Sequence, residues 1–244
     1  MTNGGQRTAT ASGVMLADPA DIGNALLRDA QALFEPDFWA ARGELQAVSG
    51  GRGAAWFIGP ATNQWVLRHY RRGGFIAAVS KDRYVWAGEN QVRAFAEWRL
   101  LQQLVQQHLA VPKPIAAWYR RSGLTYSCDL ITQRIADARA LSSVLQSVAL
   151  PPADWRAIGA AIARLHHAGV DHADLNAHNI LLDAAQRVSV IDFDRGRLRT
   201  PGDWRSRNLR RLHRSLSKIS RALPPGRFTA PAWEALMAGY LAFP

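Results

Sequence analysis

The stretch VDHADLNAHNILLDAAQRVSVIDFDRG, Val170 to Gly196, crowds acids, amides and imidazoles ahead of two apolar runs. His172, Asp174 and Asn179 precede ILL, and Asp192 closes VSVID. Short apolar runs bounded by polar turn residues read as two strands joined by a tight turn. Strands joined in this way run antiparallel, so the start of the first lies beside the end of the second. Asn179 and Asp192 then converge, offering two oxygen donors to a hard divalent cation such as Mg²⁺. Asp174, on the loop just before, comes within reach of a substrate hydroxyl. Such a layout suits phosphoryl transfer, where positioning and charge neutralisation do most of the chemistry.

The elements that must hold these residues are legible on either side. PPADWRAIGAAIARLHHAG reads as a helix. Prolines precede it, Asp154 sits near its start, Ile158, Ile162 and Leu165 share a face, and Gly169 suits the C′ position. His166 and His167 near its end read as partners of the helix dipole. Two further helices are expected near 206–221 and 231–241. Upstream, LQAVSGGRGAAWFI reads as strand, Gly-rich turn and strand, and QWVLRHY as a third strand. A short helical pattern covers about 22–34. A longer one covers 91–108, where Phe95, Trp98, Leu101, Leu104 and Val105 recur at helical spacing. PIAAWYRRSGLTYSCDLITQRI reads as a hairpin turning at Ser122-Gly123. Residues 45–135 thus make a five-stranded antiparallel sheet with one helix. Residues 1–20 are small, polar and aperiodic, and are expected to be disordered or loosely attached. The expected organisation is this loose N-terminus, a β-rich lobe with a leading helix over 21–135, and an α-rich lobe over 136–244.

A chain of 244 residues, 48% hydrophobic, can bury a substantial core. The one cysteine, Cys128, excludes an internal disulfide framework and suits a reducing compartment. MTNGGQRTATASG lacks the apolar run of a signal peptide, and the absence of a long uncharged apolar stretch argues against a membrane span. The net charge of +11 points to an anionic partner. Only Lys81, Lys113 and Lys218 are lysines. Genome bias would explain arginine over lysine; it does not explain the excess over acids. Of the tryptophans, Trp39, Trp56, Trp65, Trp86, Trp98 and Trp118 are mainly core candidates. His172 and His178 flank acids but fit no common zinc spacing.

HADLNAHN resembles the protein-kinase catalytic loop H-R-D-x-x-x-x-N, and DFD resembles its D-F-G. The resemblance implies Asp174 as the base that orients or accepts the hydroxyl proton, Asn179 and Asp192 as metal ligands, and His172 as a brace for the loop. SGGRGAAWFI resembles a phosphate-covering Gly-rich loop, which would give ATP contacts to Gly50, Gly51, Arg52 and Gly53. WVLRHY occupies the strand where kinases carry V-A-I-K, with Arg68 in place of lysine, and Glu97 resembles its helical carboxylate partner. An arginine there can bridge a carboxylate bidentately and still face phosphate. Asp194 stands where the pattern has glycine, nothing like A-P-E follows, and the next helix begins too soon for a long peptide-binding loop. Asn176 fills the position often held by lysine, so another cation must stabilise charge; Arg195 and Arg197 are candidates. A small or lipid-linked acceptor is implied.

LRHYRRGGFIAAVSKDRYVWAG, RAFAEWRLL, VPKPIAAWY, HADLNAHNILLD and IDFDRGRLR together resemble the 3-deoxy-D-manno-octulosonic acid (Kdo) kinases, within the lipopolysaccharide core kinases. The resemblance covers roughly residues 34–220. It implies an α+β, two-lobed protein-kinase-like fold and a phosphotransferase using ATP and Mg²⁺. The acceptor would be the 4-hydroxyl of Kdo on a lipid A precursor, and the enzyme would be peripheral at the cytoplasmic face of the inner membrane. Cationic ground is available for such an acceptor. Arg71 and Arg72 end the third strand, and eight arginines against one acid, Asp203, lie between Arg195 and Arg214. On that last helix Leu209, Leu212, Leu216 and Ile219 form an apolar face, so its basic side reads either as an anionic-lipid contact or as a solvated face. Other readings are a heptose kinase or antibiotic phosphotransferase of the same fold, a non-catalytic kinase-like module, and, from charge alone, a nucleic-acid binder without any recognised motif. A nucleic-acid partner and an obligate protein partner are not expected.

Overall fold

The computed structural model describes residues 5–10, 12–22, 30–48, 55–71 and 82–243. The chain divides into two compact units, residues 1–102 with 113–134 and residues 103–112 with 135–244.

The spine of the first unit is the hairpin of β7 (Pro114–Ser122) and β8 (Thr125–Gln133), turning through Gly123 at φ 59°. The first six residues of β7 are all buried, with no alternation. Both faces of the strand are covered. Trp118 stacks on Phe34 at 5.7 Å, while its neighbour Tyr119 meets Phe95 edge-on at 5.2 Å. Phe95 belongs to α3 (Arg93–Gln106), whose Phe95, Trp98 and Leu101 are buried. Two short helices, α1 (Pro19–Ile22) and α2 (Pro36–Ala40), precede the central strands in sequence. Cys128 is fully buried in β8, and burial pushes its thiol up to about 12, so it is an unreactive core residue.

Beyond β8 come β5 (Trp65–His69), β4 (Ala55–Ile58) and β3 (Leu45–Ala47), all antiparallel, as their sequences indicate. On the other side β7 pairs with β2 (Val14–Ala17), and β2 with β1 (Gln6–Ala9). With β6 (Tyr84–Val85) also on β8, the described residues hold an eight-stranded sheet where five strands were expected. The expectation of a loose segment over 1–20 is therefore corrected for Gln6–Ala9 and Val14–Ala17. The small polar character of the segment as a whole hides VMLA, whose Met15, Leu16 and Ala17 are buried. The backbone there runs close to β7: a Cβ on Gly13 would lie 2.2 Å from the Tyr119 carbonyl oxygen. The helix expected over 22–34 falls largely on residues outside those described; its described end is a 3₁₀ turn, Ala32–Phe34.

The second unit is mainly helical, with α4 (Leu141–Ser147), α5 (Pro152–His167), α6 (Trp204–Ser220) and α7 (Ala230–Leu241). Its small strands are β9 (Arg139–Ala140), β10 (Val170–Asp171), β11 (Ile180–Leu182), β12 (Val188–Val190) and β13 (Arg197–Leu198). Residues 103–112 belong here rather than with the β-rich region; the Ala110 carbonyl accepts the Val190 N–H at 3.1 Å. Helix α5 starts on Pro152, buries Trp155, Ile158, Ile162 and Leu165, and ends before Gly169 at φ 79°, as its sequence reads. Together, a sheet unit with one long helix and a mainly helical unit make an α+β chain of the protein-kinase-like kind.

His166 differs from its reading as a dipole partner. It is 1% exposed, its Nδ1 is 2.9 Å from the Tyr240 hydroxyl, and burial lowers its pKa to about 4. It is therefore neutral at pH 7. The unfolded chain, with an ordinary histidine, binds the proton first as pH falls, so this contribution is intact above about pH 6.5 and lost towards pH 4. His69 acts oppositely: hydrogen bonding to Asp129 raises its pKa, so its contribution is present at low pH and fades as pH rises. Urea denaturation at pH 7 and pH 4.5 should show wild type losing about 2–3 kcal/mol more than His166→Leu. Equal losses would reject the buried neutral imidazole.

Helices α5 and α7 approach through glycines. A Cβ on Gly159 would lie 1.9 Å from the Leu236 carbonyl oxygen, and one on Gly239 would lie 2.1 Å from that of Arg156. Gly159→Ala gains about 1 kcal/mol of helix propensity. It must nevertheless push two backbones apart, a strain worth about 1–3 kcal/mol or more. A lower melting temperature is expected, at about 2–4 °C per kcal/mol for a chain this size. Gly202→Ala, where a Cβ would meet only Trp204 at 3.7 Å, should leave it unchanged.

Candidate active site

Strands β11 and β12 pair with Ile180 opposite Val190. One step further, the Ile191 N–H donates to the Asn179 carbonyl at 2.9 Å. Asn179 thus faces Ile191, and Asp192 follows on the same end of the hairpin. The turn is closed by Asp183, whose Oδ1 accepts the Ala185 and Arg187 N–H groups at 2.9 Å each. Those bonds, led by that from Arg187, hold its carboxyl below the usual range. Asp192 has φ 64°, a left-handed conformation that aspartate tolerates better than most residues. Phe193 beside it is 1% exposed, with its ring 4.8 Å from that of His172. The chain then turns tightly, Gly196 N–H to the Phe193 carbonyl at 2.7 Å.

The loop before β11 is fixed largely through its backbone. His172 is 2% exposed; its Nδ1 accepts the Asp174 N–H at 3.2 Å, and its Nε2 faces the Ile191 carbonyl at 3.0 Å. An acceptor on one side and a carbonyl on the other select the neutral Nε2–H tautomer. The Asp174 carbonyl accepts from the Asn176 amide at 3.0 Å and the Asn179 amide at 2.9 Å. Because Asn179 spends its NH₂ in this bond, its Oδ1 is the atom left to meet a cation. The Asp174 carboxylate is exposed and takes Asn176 Nδ2 at 3.1 Å and Arg211 Nη1 at 3.4 Å.

Helix α6 supports this loop from below with residues that sequence reasoning passed over. Asn208, 5% exposed, accepts the His172 N–H at 3.0 Å and donates to Asp171 at 3.0 Å. Ser215 accepts the Ala177 N–H at 3.2 Å. Asn208, Arg211 and Ser215 share one helical face. Asp171 also receives Arg199 at 3.0 Å. The signal in the sequence is the single asparagine of this helix, where its helix propensity is poor.

Of the remaining candidates, Arg68 and Glu97 are brought together in the first unit as an ion pair with Tyr70, whose hydroxyl also donates to Glu97. Tyr70 also accepts from Arg68 at 2.9 Å. Glu97 is 4% exposed, and burial raises the Tyr70 pKa well above its ordinary value. Tyr70 was not anticipated. Arg71 follows the strand and is exposed; Arg195, at φ 61°, and Arg197, in β13, are exposed too. Gly50, Gly51, Arg52, Gly53 and Arg72 lie outside the described residues.

An amide oxygen and a carboxylate carried at one hairpin end are the donor types that suit Mg²⁺, which binds through one or two carboxylates together with phosphates and water. Among the described residues no helix is long and apolar enough to cross a membrane.

Asn208→Leu should leave the buried His172 N–H without its acceptor and cost about 1–3 kcal/mol in urea denaturation. A loss below about 0.5 kcal/mol, the size of an ordinary surface substitution, would show that α6 does not hold the loop this way.

A model of the lipopolysaccharide kinase (Kdo/WaaP) family matches residues 36–240. A protein of Xanthomonas axonopodis pv. citri, named 3-deoxy-D-manno-octulosonic acid kinase, is 51% identical over 195 residues, 79% of this chain and 78% of that one. One of the same name from Vibrio parahaemolyticus is 45% identical over 188 residues, 77% of this chain and 79% of the other.

Proposed function

The chain belongs to the lipopolysaccharide kinase (Kdo/WaaP) family, and on that premise we propose that it transfers the γ-phosphoryl group of ATP to a hydroxyl of a Kdo residue on a lipid-linked acceptor. It is a phosphotransferase acting on a hydroxyl group. The observation that supports the finer reading is the end of the β11–β12 hairpin, where Asn179 bonds Ile191, the residue before Asp192, and one histidine ties Ile191 to the Asp174 loop.

Each residue then has a task. The Asp174 carboxylate accepts a hydrogen bond from the acceptor hydroxyl, aims the hydroxyl lone pair at the γ-phosphorus and takes the proton as the new P–O bond forms and the bond to the bridging β,γ-oxygen breaks, with ADP leaving. Asn179 Oδ1 and the Asp192 carboxylate are the groups that would hold Mg²⁺, which would neutralise phosphate charge. His172 keeps the two sides of the hairpin mouth in register. In the first unit, Glu97 and Tyr70 fix the guanidinium of Arg68, the residue that the kinase resemblance assigns to ATP phosphate. The same resemblance assigns Gly50, Gly51, Arg52 and Gly53 to the phosphates. Arg71, Arg72, Arg195 and Arg197 supply positive charge to the acceptor.

A Kdo acceptor carries a carboxylate, and a lipid-linked one presents itself at a membrane surface. The net charge of +11 suits an enzyme that works peripherally there, at the cytoplasmic face of the inner membrane.

Incubation with ATP, Mg²⁺ and a Kdo-bearing lipid A precursor should add one phosphate by mass spectrometry, with NMR placing it at position 4. No transfer would reject the Kdo reading; transfer only to heptosylated acceptors would make it a heptose kinase. Asp174→Asn should lower kcat by about 10²–10⁴-fold while the fold survives. Full turnover by this variant would remove Asp174 from the chemistry.

A further inference from the structure

The sequence leaves open which cation replaces the missing lysine of the catalytic loop, where Asn176 stands. Arg195 and Arg197 are near in sequence. Arg211 instead reaches the Asp174 carboxylate, Nη1 to Oδ1 at 3.4 Å, from the loop-facing side of α6. We propose that Arg211 is an acceptor-binding residue, which takes the carboxylate of the sugar acid while Asp174 takes its hydroxyl. The proposal rests on the kinase reading above and adds the feature by which an acidic sugar would be distinguished from a neutral one.

Three observations support it. First, the Arg211–Asp174 contact is long and wet, with side chains 47% and 57% exposed, so it contributes little to stability. A rearrangement on substrate binding therefore costs little. Second, the helix under Arg211 is fixed. Asn208 and Ser215, on the same face, are bonded to the loop backbone at 3.0 and 3.2 Å. The guanidinium is therefore delivered beside Asp174 by a braced scaffold. Third, the contact uses one Nη1 donor of a fork with five N–H groups, whose geometry matches a carboxylate bidentately. The relatives' names specify an octulosonic acid, whose carboxylate is the complementary group.

Asn176 completes the arrangement. Its amide already bonds the Asp174 carbonyl and carboxylate at 3.0 and 3.1 Å. It steers the base without bringing charge, which leaves Arg211 as the cation observed on that carboxylate.

The test compares two acceptors, a Kdo-bearing lipid A precursor and the same molecule with the Kdo carboxylate converted to a carboxamide. Wild type should use the carboxamide with a KM raised about 10- to 100-fold, the loss of one charge-assisted pair. Arg211→Gln should raise the KM for the acid by a similar factor, change the KM for ATP less than twofold, and no longer distinguish the two acceptors. Arg211→Lys should fall between, since it keeps the charge and loses the fork. Arg210→Gln, exposed on the same helix, should behave as wild type and separates this effect from general basicity. Thermal melts of each variant verify folding. If Arg211→Gln lowers kcat equally on both acceptors and still prefers the acid as wild type does, Arg211 merely positions Asp174 and the proposal fails. Wild type that turns over neither acceptor fails the kinase reading itself.

Discussion

The imidazole of His172 accepts the Asp174 N–H at one nitrogen and faces the Ile191 carbonyl with the other, and the geometry of the site follows from that double attachment. Asp174 and Asp192 lie on separate segments. Without a common anchor their separation would depend on a loop and the frayed end of a short hairpin. With it, movement of either segment must break a hydrogen bond in a place where water cannot readily replace it, since the ring is 2% exposed. The ring of Phe193 closes the apolar side of the imidazole. A neutral imidazole with one donor and one acceptor fits this bridge; an imidazolium, with two donors, would leave the Asp174 N–H opposed to another N–H.

Support propagates outward in layers. Asn208 holds His172 and Asp171, and Arg199 neutralises Asp171 from its other side. Helix α6 is pinned in turn by Leu209, Leu212 and Leu216, whose burial fixes the rotation that aims Asn208, Arg211 and Ser215 at the loop. The apolar stripe of α6 is therefore as much a part of the active site as its polar residues. A helix turned by one residue would exchange Asn208 for Arg207 or Leu209 and leave a buried N–H without an acceptor.

The hairpin mouth was legible because its information is local. Two short apolar runs and a tight turn determine the register, and the register determines what lies beside Asn179. The Arg68–Glu97 pair was legible through motif spacing, although it joins a strand to a distant helix. Tyr70, Asn208 and Ser215 were not legible, because each acts through backbone or through a partner set by tertiary packing. The edge strands β1 and β2 were missed for a related reason: four apolar residues in a polar segment become a strand only when β7 offers a paired edge. His166 was misread because position near a helix end suggests a dipole partner, whereas α7 buries the ring and favours its neutral form.

The basic excess can be apportioned on the same physical grounds. Arginines 207, 210, 211 and 214 of α6 are exposed. Exposed charges of this kind contribute little to folding, and a net charge far from zero opposes compaction through self-repulsion. Stability alone therefore gives no reason to collect them on one helix. Among these four, Arg211 is the one whose guanidinium reaches Asp174. Beside Asn208 and Ser215 on the loop-facing side, Arg211 brings one cation to that carboxylate, while the other three arginines lie in solvent. On this view the helix is two-sided by necessity. Its apolar stripe fixes the rotation of the helix, and the side that carries Asn208, Arg211 and Ser215 holds the loop and meets its carboxylate.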